Sequence, residues 1–260
     1  RNNKVLAWPR RLCWRFDNRP TETGKKQIMK LIQSQIDGIR FFYREGFSDL
    51  KTFEEVIERK TYLKKGMTIN AGENWMDCGG NVGAFALLAC SKGAKVTVYE
   101  PDPINCKMIE KNLKLNGFKA EIKQVALVHD DRKDVTLFIG NNNNVWRNSI
   151  VKKWNNKGIK VPCLNFDEEA LKFDCCKMDI EGAEMMILEN TKKVFRKLVY
   201  EWSFDIDPSL PRFWSVVESQ QLKYNNAQDI GNIAKFKSRD YDTWQNSWFP
   251  ACANIFLFNN

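Results

Sequence analysis

The chain contains no long hydrophobic run. Its longest clean apolar stretch, Gly83 to Cys90, falls far short of the roughly 20 residues a membrane-spanning helix needs. None of the eight cysteines has the Cys-x-x-Cys spacing of a zinc site or redox motif. Eight in 260 residues are also too few for a disulfide scaffold. Cys78, Cys90 and Cys106 fall where packed strands and helices are expected, and the Cys175-Cys176 pair lies in an apolar strand. They read as small buried hydrophobes in a reducing, cytoplasmic compartment. Arg1 to Arg15 lacks the apolar core of a signal peptide, and the first residue is not Met. The chain therefore reads as processed, trimmed or cut from a longer polypeptide. There is no internal repeat and no low-complexity tract beyond Asn141 to Asn144.

Hydrophobic residues make up 43% and aromatics 12%, enough to bury the core of one large α/β domain. A mean hydropathy of −0.49 agrees with a soluble chain. The net charge is +9, unevenly spread: residues 1–46 hold eleven Lys/Arg against four Asp/Glu. A second basic run, Arg147, Lys152, Lys153, Lys157 and Lys160, has no acid among residues 145–160. Such patches attract nucleic acid, anionic membrane or phosphorylated substrates, although more often they are solvated faces.

Residues 1–38 read as a basic arm followed by a helix from Thr23, with Ile28, Leu31, Ile32 and Ile36 at helical spacing and Gly38 as its stop. Ile39 to Tyr43 reads as a strand, and Phe53 to Leu63 as a helix. From Trp75 onward a βα rhythm sets in. Strands are expected at Trp75–Cys78, Lys95–Tyr99, Glu121–Val128, Val135–Ile139, Ile159–Leu164, Phe173–Met178, Leu198–Trp202 and Ala253–Phe258. Helices are expected at residues 81–92, Pro103–Asn116, Glu184–Glu189 and Pro211–Gln221. Alternation of this kind predicts an α/β fold over residues 39–260, with a mostly parallel central sheet and helices on both faces.

The chemistry concentrates in Asp77-Cys78-Gly79-Gly80-Asn81-Val82-Gly83, between a strand and a helix. Glycines there let the backbone turn tightly and approach a ligand. The first strand-to-helix turn borders the crevice at the carboxyl ends of the strands. Glu100 ends the next strand, 17 residues after Gly83, where an acid accepts hydrogen bonds from ribose hydroxyls. The turn lacks the Gly-x-Gly-x-x-Gly of nicotinamide folds, and no Walker-type loop occurs. An acid opening the loop repels a pyrophosphate but suits a cationic amino acid end. That combination points to S-adenosylmethionine, which carries no phosphate.

Three separated blocks resemble the FkbM family of S-adenosylmethionine-dependent methyltransferases. They are Arg40 to Leu50 with Glu54-Glu55-Val56; the Asp77 to Gly83 turn with Glu100-Pro101; and Val161 to Asp167 leading into Lys177-Met178-Asp179-Ile180-Glu181-Gly182-Ala183-Glu184. The resemblance spans roughly residues 39–202. It implies a Rossmann-like class I methyltransferase fold and O-methylation, often of sugar or polyketide hydroxyls. It also places Asp77, Gly79, Asn81 and Gly83 at the methionine end, Glu100 at the ribose, Ala126 by the adenine (with Gln124 or Val125 as neighbours) and Asp179 beside the sulfonium, with Gly80 and Pro101 also counted among the cofactor-binding residues. Gly80 departs from the family, where alanine is common, and at a tight turn that swap is expected to be harmless.

An alcohol acceptor loses its proton around the transition state, so a base is needed. Asp179 and Glu181, two residues apart at a strand end, are candidates for that base, or for a joint site holding a divalent cation such as magnesium that lowers the hydroxyl pKa. Glu201, ending the following strand, is the third candidate. His129, the only histidine, sits in a polar turn and reads as a surface residue. Trp146, Trp154, Trp202, Trp244 and Trp248 are candidates for a sugar-stacking platform, with Trp146 and Trp202 expected nearest the mouth and core packing the plainer use of each. The function expected is O-methylation of a sugar or glycan, with an anionic partner for the basic arm. Two alternatives stand: an RNA or nucleotide methyltransferase using that arm, although no Asn-Pro-Pro-Tyr-type motif follows the fourth strand, and a catalytically silent binding module on the same fold.

Overall fold

The computed structural model describes residues 11–15, 28–64, 66–140, 147–154, 157–229 and 252–259. Three antiparallel strands come first, β1 (Arg11–Arg15), β2 (Ile28–Ile36) and β3 (Ile39–Arg44), in the order β1-β2-β3. The segment expected to be a helix is thus strand β2, and β1 lies within the expected basic arm. Three of the four apolar residues that suggested a helix are β-branched isoleucines, which favour a pleated surface. Asp37-Gly38 is a two-residue hairpin turn with positive φ at both positions (49° and 80°), not a helix stop. The strands on either side pair from Leu31–Arg44 to Ile36–Ile39, so the boundary expected at residue 38 falls inside a hairpin.

β3 is followed by α1 (Asp49–Phe53), which runs into a single π-helical turn, Glu54–Glu58, closed by Arg59 N–H donating to the Glu54 carbonyl at 2.9 Å. This replaces the longer helix expected over Phe53–Leu63. The core region then follows as β4 (Asn74–Cys78), α2 (Ala84–Ser91), β5 (Lys95–Tyr99), α3 (Pro103–Asn116), β6 (Glu121–Lys123) and β7 (Ala126–Val128). Next come β8 (Asp134–Phe138), β9 (Gly158–Asn165), α4 (Phe166–Ala170), β10 (Cys175–Met178) and α5 (Glu184–Asn190). The described chain ends with β11 (Lys197–Ser203), α6 (Leu210–Gln221), β12 (Asn226–Asp229) and β13 (Cys252–Phe258).

The central sheet has seven strands in the order β12-β13-β11-β10-β4-β5-β6. Every pair from β11 to β6 is parallel, and β13 is antiparallel to both its neighbours. The one long strand expected over Glu121–Val128 is two. A tight turn, Val125 N–H donating to the Lys123 carbonyl at 2.9 Å, ends the pairing of β6 with β5 and sends β7 into a separate small sheet, β7-β9-β8.

Alternation along the strands feeds two cores. Trp75, Val96, Val98, Cys175 and Val199 pack on one face against α2, α3 and the N-terminal strands. Met76, Tyr99, Cys176, Met178 and Tyr200 pack on the other against α4, α5 and α6. Helix α3 shows why its ends lie where they do: Asp102 caps it, accepting from Ile104 N–H at 2.8 Å, Pro103 occupies its first turn, and Gly117 closes it in the left-handed conformation.

The same helix anchors the N-terminal sheet. Asn112 accepts from Phe42 N–H (2.7 Å) and donates to the Phe42 carbonyl (3.2 Å). One turn on, Asn116 does the same for Arg40 (2.9 and 2.7 Å). Two side-chain amides thereby substitute for a neighbouring strand along β3. Buried Arg44 forks onto buried Asp49, with Nε–Oδ2 at 2.7 Å and Nη2–Oδ1 at 2.8 Å, and reaches Asn105 on α3 at 3.0 Å. No helix among the described residues is long and apolar enough to cross a membrane.

Candidate active site

The turn after β4 is pressed between the ends of β10 and β5. A Cβ on Gly79 would lie 1.8 Å from the Asp179 carbonyl oxygen, and its φ is +80°, so only glycine fits. Gly80 is constrained as well, by the sheet rather than by the turn. A Cβ there would meet Val98 Cγ1 at 2.1 Å, and a β-branched valine has little freedom to yield. An alanine at Gly80 is therefore not harmless in this chain, contrary to the expectation from the turn alone.

Glu100 ties the turn to the neighbouring loop. Its Oε2 accepts from Asn81 N–H at 2.7 Å and its Oε1 from Asp102 N–H at 2.8 Å. Burial, aided by nearby Asp102, pushes its carboxyl up to about 8 despite those two amides. Asn81 holds a positive φ of 49°, and its buried side-chain oxygen has no hydrogen-bond partner.

Asp77 and Gly83 lie behind this turn. Asp77 is fully buried, and the Lys177 ammonium stands 3.3 Å from its Oδ1 as an ion pair rather than an aligned hydrogen bond. Lys177 donates to the carbonyls of Gly79 (2.7 Å) and Cys78 (3.3 Å). Burial holds the Asp77 carboxyl near 6, with the lysine opposing it. Neither Asp77 nor Gly83 reaches the cavity wall. Gly83 instead begins α2 in the left-handed conformation, with φ 91°.

The cavity itself has a volume of about 360 Å³, within the usual range for small-molecule sites. Its wall brings together Gly79, Gly80, Asn81, Glu100, Pro101 and Ala126 with Asp179, Glu181 and Glu201. Val125, Leu127 and Leu137 make an apolar patch beside Ala126, whereas Gln124 does not line it. Asp179 follows β10 directly; its N–H donates to the Cys78 carbonyl at 3.0 Å, and its Oδ2 accepts from the Tyr62 hydroxyl at 2.5 Å. Glu181 sits at positive φ (53°) in the next turn, which buried Glu184 braces by accepting from Gly182 N–H (2.7 Å) and Ile180 N–H.

Burial, with Asp179 and Glu184 nearby, raises the carboxyls of Glu181 and Glu201 well above the usual range. Both are thus suited to holding a proton near neutral pH. Among the described residues no three or more His, Cys, Asp or Glu side chains are grouped so as to hold a metal ion.

Several wall residues are not singled out as site residues by the sequence. Tyr62 and Thr52 arrive from the segment before the glycine turn, together with Glu55 of the first family-like block. Lys177 opens the last run of the third family-like block, with no role assigned to it in the cavity wall. Arg147, from the second basic run, also lines the cavity, pairs with Asp205 and lies over the Trp154 ring at 4.7 Å. Trp202 is not at the mouth. It is fully buried, its indole N–H donates to the Asp207 carbonyl at 3.2 Å, and it stacks edge-on with Phe213. Trp146, Trp244, Trp248 and Asn141 to Asn144 lie outside the described residues, as do residues 1–10 and 16–27 of the basic arm. His129 stays in its polar turn beside Asp130 and away from the cavity, while Cys175 and Cys176 are buried in the sheet.

From β6 to β11 the strand order follows that of dinucleotide-binding folds, with a glycine turn after its first strand and an acid after its second. One antiparallel strand, β13, is inserted before the edge. That arrangement defines a Rossmann-like, class I S-adenosylmethionine-dependent methyltransferase. The chain belongs to the FkbM methyltransferase family, whose domain matches residues 77–242.

No curated protein matches the chain. Among solved structures it is similar to the Pyrococcus abyssi tRNA (uracil-54, C5)-methyltransferase in complex with S-adenosyl-L-homocysteine, at 13% identity and a TM-score of 0.48, covering 95% of this chain and 50% of that one. It is also similar to the T. thermophilus 16S rRNA N2 G1207 methyltransferase in complex with AdoMet and guanosine, at 12% identity and a TM-score of 0.42, covering 90% and 51%. The chain thus spans about half the length of these two.

Proposed function

We propose that this protein transfers the methyl group of S-adenosylmethionine to a hydroxyl of a sugar or glycan. The observation that carries the reading is the pairing of two strand-end carboxylates, Glu100 and Asp179, in one cavity that the Gly79–Asn81 turn borders. The residues present fit the cofactor. The turn is a cradle that a Cβ would fill, the Asn81 side-chain oxygen is buried without a partner, and an apolar patch adjoins Ala126. Glu100 would accept from the ribose hydroxyls, Gly79 to Asn81 would face the methionine end, and Ala126 with Val125 and Leu127 would pack on the adenine.

Bound there, the cofactor would supply an electrophilic sulfonium methyl for an acceptor oxygen, with the neutral thioether as the leaving group. This chain's own task is then to align the acceptor and to take its proton, which together account for most of what a protein contributes to such a displacement. Asp179 is the group assigned to the proton. Glu181 and Glu201, whose burial favours the protonated form, donate hydrogen bonds that orient a polyhydroxylated acceptor.

Calorimetric titration with S-adenosylmethionine and its demethylated product tests the first half of the reading. Saturable binding that Glu100→Ala loses is the expected outcome, and no binding to the folded parent protein would favour a silent module instead. Transfer of labelled methyl across a panel of glycans then tests the second half. Transfer to RNA with steep salt dependence, and none to any glycan, would overturn it in favour of a nucleic-acid acceptor.

A further inference from the structure

Tyr62 lies ahead of the family-matched domain, and 117 residues separate it from the group it touches. It is 6% exposed and its hydroxyl sits 2.5 Å from Asp179 Oδ2. The ring is clamped on two sides, with the Lys177 ammonium 5.2 Å from its centroid and Phe85 edge-on at 6.0 Å. Its backbone is equally fixed. After the π-helical turn the chain reverses at Lys60 (φ 54°), and Thr61 returns to the Glu55 carbonyl through both its N–H (3.1 Å) and its hydroxyl (2.8 Å). A side chain this constrained, donating to a carboxylate in the wall of the cavity, has a use beyond filling space.

We propose that Tyr62 is the positioning residue for Asp179, holding one carboxylate oxygen so that the other is left to receive the acceptor's proton. This rests on the methyl-transfer reading above and adds to it a part for the N-terminal segment. Burial and the facing Asp179 keep the phenol protonated, so it acts as a fixed donor and not as a competing base. Tyr62 thereby fixes which Asp179 oxygen is engaged and which stays free toward the cavity, in a crowded acidic setting. Glu55 approaches it from the π-helical turn, Asp77 from β4, Glu181 and Glu184 from the following turn and α5, Glu201 from β11 and the Cys252 thiol from β13, with Lys177 as the nearby cation on its own strand.

The test uses the full chain labelled with ¹³C at its aspartate carboxyls, the Asp179 signal being identified by its disappearance in Asp179→Asn. In Tyr62→Phe, which removes only the hydroxyl, the Asp179 carboxyl resonance moves at fixed pH, since one of its oxygens has lost its hydrogen-bond donor. In Phe85→Leu, which loosens the ring's packing but keeps the hydroxyl, the resonance stays near that of the parent. An unmoved resonance in Tyr62→Phe, or an equal move in both variants, would overturn the proposal. Each spectrum is recorded without ligand and with saturating S-adenosylhomocysteine. Failure of that compound to bind the parent protein would count against the methyltransferase reading, while the Tyr62 result is read independently from the ligand-free series.

Discussion

Lys177 and Asp77 face each other across the β10–β4 pair, Nζ 3.3 Å from Oδ1, with side chains 4% and 0% exposed. The lysine belongs to the cavity wall and the aspartate to the layer behind it, so one ion pair connects the glycine turn to the sheet. Lys177→Met leaves Asp77 buried without its counter-charge, a change that costs about 3–5 kcal/mol. Because burial already holds Asp77 near 6, that loss is smaller at pH 5, where the acid is protonated, than at pH 8. Urea unfolding of the variant at the two pH values checks both the size and the sign.

Glu100 gives the protein a pH dependence of its own. Its carboxyl is raised to about 8 in the fold from an ordinary 4.5, so the protonated form is the one the fold favours. Its contribution to stability is full below about pH 4.5 and is lost as pH rises through about 8. Glu100→Gln therefore flattens the fall in thermal stability between pH 6 and 9. Ribose hydroxyls donate to the ionised form, so affinity of the parent for S-adenosylhomocysteine rises over the same interval with release of a proton. Calorimetry in buffers of different ionisation enthalpy measures that proton.

Gly80→Ala is expected to destabilise the protein by about 1–3 kcal/mol through overpacking against Val98. Val98→Ala costs stability when made alone, yet in the Gly80→Ala background it restores part of what was lost. A double-mutant cycle by chemical denaturation reads the coupling. Simple additivity would show that the turn and the strand do not meet as described.

Asn112→Ala removes the amide that serves both backbone groups of Phe42, leaving a buried donor and acceptor unpaired at a cost of about 1–3 kcal/mol. The strand it holds leads into the segment that carries Tyr62. Hydrogen exchange should accordingly quicken across β3 and α1 while the β10–β11 pair keeps its protection.

How much of this was legible beforehand follows the range of each interaction. Lys95–Tyr99 and Pro103–Asn116 were expected where they stand, because a Val-rich run and a Pro-started, Gly-stopped helix are local statements. Glu100 and Asp179 were found at strand ends bordering the cavity for the same reason. The isoleucines of β2 fitted two periods, and only the Asp-Gly hairpin and its pairing with β3 decided between them. Asp77 looked like a ligand contact because of its place in a motif, while its actual partner comes from the adjacent strand. Tyr62 left no trace, since nothing near it in sequence announces a carboxylate 117 residues away.

The insertion of β13 between β11 and β12 has a consequence for how the molecule is made. Synthesis delivers the sheet from the middle outward, and the strand that joins its last two members comes from the ribosome after both. A nascent chain stopped at residue 229 presents β11 with one edge bare and β12 lacking the neighbour it has in the finished sheet. Bare edges of that kind recruit other chains. Expression of this protein is therefore most exposed to co-translational aggregation in the interval before Cys252–Phe258 emerges, and slower elongation there would lengthen the hazard.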